Sequence, residues 1–473
     1  MSGIVLFFLY RYLIDHLGLE ILGLWSVVLA STSIARLSDL GLSGSVIKFV
    51  ARYHALKDGV QTSNVIQTAA ISISVLMAVL IIIIYPLLDD LLALVIPEKM
   101  MPNVIDILPF AVLSLWLSSV GGVFQSGLDG CQRMDIRNII MIISNILYLV
   151  LVMVLVPAYG LVGLAVSQVI QGFLVLMISW FVLRMNIRSL PFVPVYWSVS
   201  KFKEMFSYAL NFQVNSVAVM FFGPATKFLM SYFGGLVMVG YYEMANQVVL
   251  RLRSLLISGN EAVSPAVAEM HEVTPEDVSQ LYVKSYRILF FLAVPFYAAM
   301  LVALPVVSEL WLGKVEPEFI WFGLILGVGY GVCNLVGPAY FVNLGTGDLT
   351  WNSVSHVLMA FLNLVFGYIF GLQFGAIGVI CGSMLAMVLS SWFVLVPVHK
   401  RFNLMLSYLY PKEHAKLLFF SLCSPLFPIW VVLSNSVYKE SLMLQISVFV
   451  LYLLLISILL WIHPYKNILM YKK

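Results

Sequence analysis

Gly160-Leu161-Val162-Gly163-Leu164-Ala165-Val166-Ser167 lies between two long apolar runs, and a close copy, Gly375-Ala376-Ile377-Gly378-Val379-Ile380-Cys381-Gly382, lies between two more, 215 residues further on. The same offset lays Gly-Leu-Asp-Gly130 over Val-Asn-Leu-Gly345. Nearer the start of each half an offset of 217 pairs Gly23 with Gly240, Arg36 with Arg253 and His54 with His271. Glycines that return at a fixed distance between apolar segments mark corresponding turns. The chain therefore reads as two copies of one arrangement.

Composition says what is being repeated. Of the 473 residues 62% are hydrophobic and 10% charged, against roughly 45–50% and about 25% in a soluble domain. Apolar stretches of about 20 residues, the length that crosses a bilayer as a helix, recur from end to end with short polar breaks. They are too long and continuous for the roughly ten-residue alternating strands of a membrane barrel. The fold class expected is an all-α integral membrane protein of about 14 transmembrane helices. The segments lie near 1–16, 21–50, 64–88, 104–127, 137–157, 161–184, 205–232, 236–266, 281–311, 319–343, 351–372, 375–397, 415–435 and 443–462.

Six segments per copy is an even number, so both halves enter the membrane from the same side and are related by a pseudo-twofold axis along the membrane normal. The expected organisation is an N-terminal six-helix lobe over 1–190, an inter-lobe linker over 191–203, a second six-helix lobe over 204–398 and two appended helices over 399–473. Subtracting 217 from the start of the seventh segment, near Glu204, places the start of the first before Met1. The chain is read as beginning inside a shortened first helix.

Lysine and arginine placement orients these spans. With the N-terminus cytoplasmic, eighteen basic residues fall on the inside, among them Arg52, Arg133, Arg137, Arg188, Lys201, Lys284, Arg401 and Lys472, against four outside: Arg11, Lys99, Lys314 and Lys439. An even span count returns the C-terminus to the cytoplasm, in a multi-pass protein of a bacterial inner membrane.

Four cations fall within helices: Arg36, Lys227, Arg251 and Arg253. Each costs roughly 2.5–3.5 kcal/mol at the bilayer centre on insertion scales, so a hydrated cavity or a partner is expected. Thr32, Arg36, Asp39 and Ser43 share one helical face. Glu243, Gln247, Arg251, Ser254, Ser258 and Glu261 form a second stripe, and Asn246, Arg253 and Asn260 recur every seven residues on another face. Asn211, Gln213 and Asn215 add polar groups near Lys227, ahead of a Gly223–Pro224 break. One reading is a basic cavity suited to a phosphate, which guanidinium groups bind bidentately. The other is an Arg36–Asp39 pair that locks packing, with Arg251 and Arg253 snorkelling to an interface. Glu243 and Glu261 are expected to pair with these cations. His356 reads as a satisfied helix residue, with proton coupling as its alternative.

Other chemistries find little support. Cys131, Cys333, Cys381 and Cys423 show no CxxC spacing, so neither disulfides nor a metal site is expected. There is no Gly-rich phosphate loop and no loop long enough to fold by itself. Thr274-Pro275-Glu276-Asp277 reads as a helix cap. The expectation is a protein that is not an enzyme, with no cofactor and no nucleic-acid partner.

Leu17-Gly18-Leu-Glu-Ile-Leu-Gly23-Leu-Trp25, followed by Leu37-Ser-Asp39-Leu-Gly41-Leu-Ser-Gly44-Ser-Val-Ile-Lys-Phe-Val-Ala51-Arg52, resembles the helix 1–2 signature of the bacterial polysaccharide exporters, the O-antigen flippase family. That family belongs to the superfamily that also holds the MATE drug antiporters and the lipid II flippases. The resemblance extends over nearly the whole chain. It implies a MATE-like pair of six-helix lobes with a central cationic cavity, carried here to Arg36, Lys227, Arg251 and Arg253. It also implies alternating-access flipping of an undecaprenyl-diphosphate-linked oligosaccharide, for O-antigen, capsule or exopolysaccharide. Membrane lipids, a coupling H+ or Na+, and polysaccharide polymerase or assembly proteins are the further partners implied. Lipid II flipping and cation-coupled drug antiport on the same fold are the alternatives, Asp39 being the carboxylate that an antiporter would need.

Overall fold

The structure, a computed structural model, describes residues 2–33, 42–261, 263–405, 415–433 and 441–463. All regular structure among them is helical: α1 Ser2–Leu17, α2 Leu19–Ser33, α3 Leu42–Ala55, α4 Gly59–Ala93, α5 Met101–Gly130, α6 Met134–Asn186, α7 Val199–Glu261, α8 Val263–Val273, α9 Val278–Leu312, α10 Pro317–Asn334, α11 Gly337–Thr346, α12 Thr350–Arg401, α13 Ala415–Cys423, α14 Leu426–Leu433 and α15 Leu442–Ile462, with two short 3-10 turns.

Among the described residues eight helices are long and apolar enough to cross a membrane, or nine if the bent pair α1–α2 is one span. Several are longer than one span. α6 has 53 residues and α12 has 52, about 80 Å at 1.5 Å per residue, against a hydrocarbon core of about 30 Å. Each is two limbs joined at a glycine: Gly160 at φ 55°, ψ −132° and Gly375 at φ 60°, ψ −140°. A side chain would clash in that region, so the turn falls where glycine is. α7 is broken likewise at Gly235, φ 76° and ψ 175°. Counted by limbs, all fourteen expected segments have a helical counterpart. Their ends run further than the apolar runs, because a helix continues into polar ends, as at α4, where Asp58 accepts a hydrogen bond from the Gln61 amide at 3.0 Å. Breaks at 335–336 and 424–425 divide two expected segments in ways that hydropathy does not register.

The internal repeat is visible in the backbone. The left-handed positions pair at the sequence offsets: Gly18 with Gly235 at 217, Gln132 with Gly347 and Gly160 with Gly375 at 215. Close approaches pair too. A Cβ on Gly130 would stand 2.7 Å from Val50 Cβ and 3.0 Å from the Ile47 carbonyl oxygen; one on Gly345 would stand 2.7 Å from Val267 Cβ and 2.6 Å from the Ser264 carbonyl oxygen. Gly163 packs on the backbone of Leu155, and Gly378 on that of Phe370.

The chain divides into two compact units, Met1–Gly240 and Tyr241–Lys473. In the first, α5 packs along α6 and against α3 and α4, around Val50, Ile66, Ile73, Met77, Val123, Phe124 and Leu183. The Phe124 and Trp180 rings lie 4.6 Å apart. The segment 187–198 is tied to this core, since buried Gln67 accepts from the amides of Val195 and Tyr196, and Trp180 Nε1 donates to the Phe192 carbonyl. Gly23 meets the Leu236 carbonyl and Gly240 meets that of Leu19. Because 236 and 240 are the 217-residue counterparts of 19 and 23, this contact is self-complementary, as a local twofold requires.

In the second unit α9 is the central helix. It packs against α10, α8 and α11 and against the three terminal helices. The core there includes Val267, Tyr282, Tyr286, Phe290, Val342, Val394 and Val398. Gln445 at the start of α15 donates to Glu309 of α9 at 2.8 Å.

Candidate functional site

The helical limb after Gly235 carries Asn246 and Arg253, seven residues and so two turns apart on one face. Arg253 Cζ lies over the Tyr330 ring of α10, 4.9 Å from its centroid, and its Nε is buried with no hydrogen-bond partner. None of the ion pairs among the described residues includes Arg253. Tyr297 of α9, Cys333 of α10 and His356 of α12 are near enough for the guanidinium charge to act on them.

The energies show what is missing. A desolvated cation–π contact contributes about 2 kcal/mol, which falls short of the roughly 2.5–3.5 kcal/mol cost of an intramembrane arginine. The unbonded Nε adds about 1–3 kcal/mol more. The contact with Tyr330 holds Arg253 in place and does not neutralise its charge.

Two further orphans lie on α9 and α10. The Tyr297 hydroxyl and the Asn334 side-chain nitrogen are buried without partners, and the residues are only 5% and 3% exposed. Several other buried polar groups of this unit are satisfied. Asn343 donates to Asn352 at 3.0 Å, Asn352 to the Tyr340 carbonyl at 3.2 Å, and Ser355 to the Ser390 carbonyl at 2.8 Å. His356 stands edge-on to Tyr340, with ring centroids 5.8 Å apart.

The residues singled out by sequence are distributed as follows. Arg36 and Asp39 lie outside the described residues, as do the side chains of Asn211, Gln213, Asn215 and Glu261. Lys227 is half-buried on the first limb of α7, in the first unit. Arg251 is exposed, about 200° around the helix from Arg253. Glu243 is buried and accepts a 2.8 Å hydrogen bond from Gln247. Asn246 is buried with its carbonyl oxygen unpartnered. Of the expected set in the second unit, Arg253 and Asn246 thus share the polar inner face. Sequence reading missed Tyr297, Tyr330 and Asn334. The signal was slight: an asparagine in an otherwise apolar helix, and tyrosines indistinguishable from core aromatics.

The first unit is apolar at the equivalent positions. Leu115 stands for Tyr330, Met141 for His356, Ser119 for Asn334 and Leu80 for Tyr297. Around Leu115 the lining is Ile81, Ile84, Leu88 and Val112, with Thr32 and Tyr85. The two units do share a clamp at equivalent helix ends. Arg133 donates to Asn186 at 3.3 Å in the first, and the positions 215 residues on, Asp348 and Arg401, form an ion pair in the second.

This arrangement of helices, with its repeated turns, is the fold of the MATE-type proteins. Solved structures of that type align with it: a lipid II flippase, MurJ, in an inward closed conformation, at a TM-score of 0.76 and 15% identity over 99% of this chain and 98% of that one; and an inward-facing multidrug resistance MATE family transporter of the MOP superfamily, at 0.73 and 15% over 85% and 95%. An outward-facing transporter of the same family aligns at 0.58 and 18% over 85% and 92%. No curated protein matches the chain. Residues 2–271 match the polysaccharide biosynthesis protein family, and the chain belongs to that family.

Proposed function

We propose that the protein flips a polyprenyl-diphosphate-linked oligosaccharide, a unit of O-antigen, capsule or exopolysaccharide, from the cytoplasmic to the outer face of the inner membrane by alternating access. The observation that carries this reading is Arg253, a guanidinium on the second limb of α7 with no carboxylate paired to it among the described residues and one face resting on Tyr330. In a family of polysaccharide biosynthesis, the anion that such a group serves is the diphosphate of the lipid carrier, because guanidinium and phosphate match in charge and hydrogen-bond geometry. Arg36 supplies the corresponding cation of the other half, and Lys227 and Arg251 extend the basic surface. The work is translocation without covalent chemistry, driven by an ion gradient or by the substrate's own gradient.

The lobes in this reading are 1–190 and 204–398, joined by 191–203, with 399–473 appended. Matched turns at Gly18 and Gly235 and at Gly160 and Gly375 support them. Both termini face the cytoplasm. Lipid II is the alternative cargo: the flippase named for it aligns with 99% of this chain, terminal helices included, whereas the drug transporters align with 85%.

The test is the Arg36→Ala, Arg253→Ala double variant in the native host. It should lose surface polysaccharide while remaining inserted at wild-type abundance. Normal export by that variant would end the assignment; intact export combined with arrested cell-wall synthesis would move it to lipid II.

A further inference from the structure

Among the described residues twelve buried side-chain atoms lack a hydrogen-bond partner. Three of them belong to α9, α10 and the helical limb that meets α10: Tyr297 OH, Asn334 Nδ2 and Arg253 Nε. Tyr330 receives the Arg253 guanidinium on its ring. At the next residue, Gly331, a Cβ would stand 3.4 Å from Tyr297 Cγ, so α10 touches Tyr297 beside the position where it carries the arginine. Asn334 follows Tyr330 by four residues, one turn along the same face.

All three unfilled atoms can donate, and two can only donate. With a fixed positive charge among them they repel a metal cation. A neutral sugar hydroxyl would want acceptors as well. What fits several donors around one cation is an acceptor-only, anionic oxygen cluster. We propose, resting on the flippase reading, that Tyr297 and Asn334 complete with Arg253 a subsite for the phosphate oxygens of the lipid carrier, and that this subsite is built in the second unit alone. The first unit has Leu80, Leu115 and Ser119 where it has Tyr297, Tyr330 and Asn334. The donors of this subsite therefore all come from the second unit.

The full-length protein in lipid nanodiscs is titrated with farnesyl diphosphate and, separately, with farnesol, which has the same tail and no phosphate. Tyr297→Phe and Asn334→Leu should each weaken farnesyl diphosphate binding about 10–150-fold, as loss of one hydrogen bond to a charged group predicts. Farnesol binding should not change. Tm of the unliganded variants should hold or rise, because each substitution removes a buried polar atom that has no protein partner. If both variants bind farnesyl diphosphate as the wild type does while Arg253→Gln loses binding, the subsite is wrong and the flippase reading stands. If Arg253→Gln also binds normally, the diphosphate reading falls with it. A drop in Tm alongside weaker binding of both ligands would overturn the subsite by making the two residues packing elements.

Discussion

Laid over each other at offsets of 215 and 217, the two halves agree in one respect and differ in another. They agree at several places where the backbone turns or two helices touch: Gly160 with Gly375, Gly130 with Gly345, Gly163 with Gly378. They differ where side chains face the interior. The second unit has Tyr297, Tyr330, Asn334 and His356, and the first has Leu80, Leu115, Ser119 and Met141. A duplicated scaffold keeps what sterics forbid it to change, since a Cβ at a close approach collides with backbone. Interior side chains are not bound in that way, so chemistry diverges. The cation at Arg36 and Arg253 is repeated, and the groups around Arg253 are specific to its half.

The strongest test of the shared part is steric. Gly163→Leu and Gly378→Leu each drive a side chain into a facing helix backbone, Leu155 or Phe370, that has no rotamer to yield. Overpacking of this severity costs about 3 kcal/mol or more. The two variants should fail to the same degree, with little monodisperse protein recovered in detergent and a lowered unfolding temperature. Tolerance of one and not the other would show that the two turns are not equivalent.

The divergent part predicts an unequal outcome. Tyr330→Leu removes the platform under Arg253 and leaves the charge in place. A partly desolvated cation–π contact of about 1–2 kcal/mol corresponds to a fall in carrier affinity or export of about 5–30-fold. Leu115→Met, the conservative change at the counterpart position, should leave export within about twofold, since volume-conserving core swaps cost little. Equal effects from the two would mean that Tyr330 acts only as packing.

How much of this was legible in the sequence follows the same division. Spans, their approximate ends and the repeat were readable because each has a steric or solvation cause that leaves a residue-level trace: an apolar run, a glycine, a polar break. The breaks at 335–336 and 424–425 left none, because Leu335-Val336 and Ser424-Pro425 occur as readily within an apolar run as at a bend. At the site, Arg253 and Asn246 were found because cations and amides are rare in spans. Tyr330 and Tyr297 were not, because whether a tyrosine packs or binds depends on what its hydroxyl and ring meet. Arg251 and Arg253 look alike in a list of intramembrane cations, and only the helix separates the exposed residue from the one over Tyr330.

The clamp between helix ends allows the finest test of equivalence. In the first unit the arginine is on the early residue, Arg133, and the amide on the late one, Asn186; in the second the early residue is Asp348 and the late one Arg401. Asp348→Arg alone sets two guanidinium groups against each other. Both native side chains are more than a third exposed, so the penalty should be at most about 1 kcal/mol, read as a small fall in Tm. Adding Arg401→Asn to that variant recreates the first unit's Arg–Asn pair in the second, and Tm should recover most of the loss. The recovery has a physical basis: the second change removes the repulsion and supplies an amide oxygen to accept from the new arginine. If Arg401→Asn fails to rescue Asp348→Arg, the two clamps share positions without sharing geometry, and the correspondence of the halves stops at their glycines.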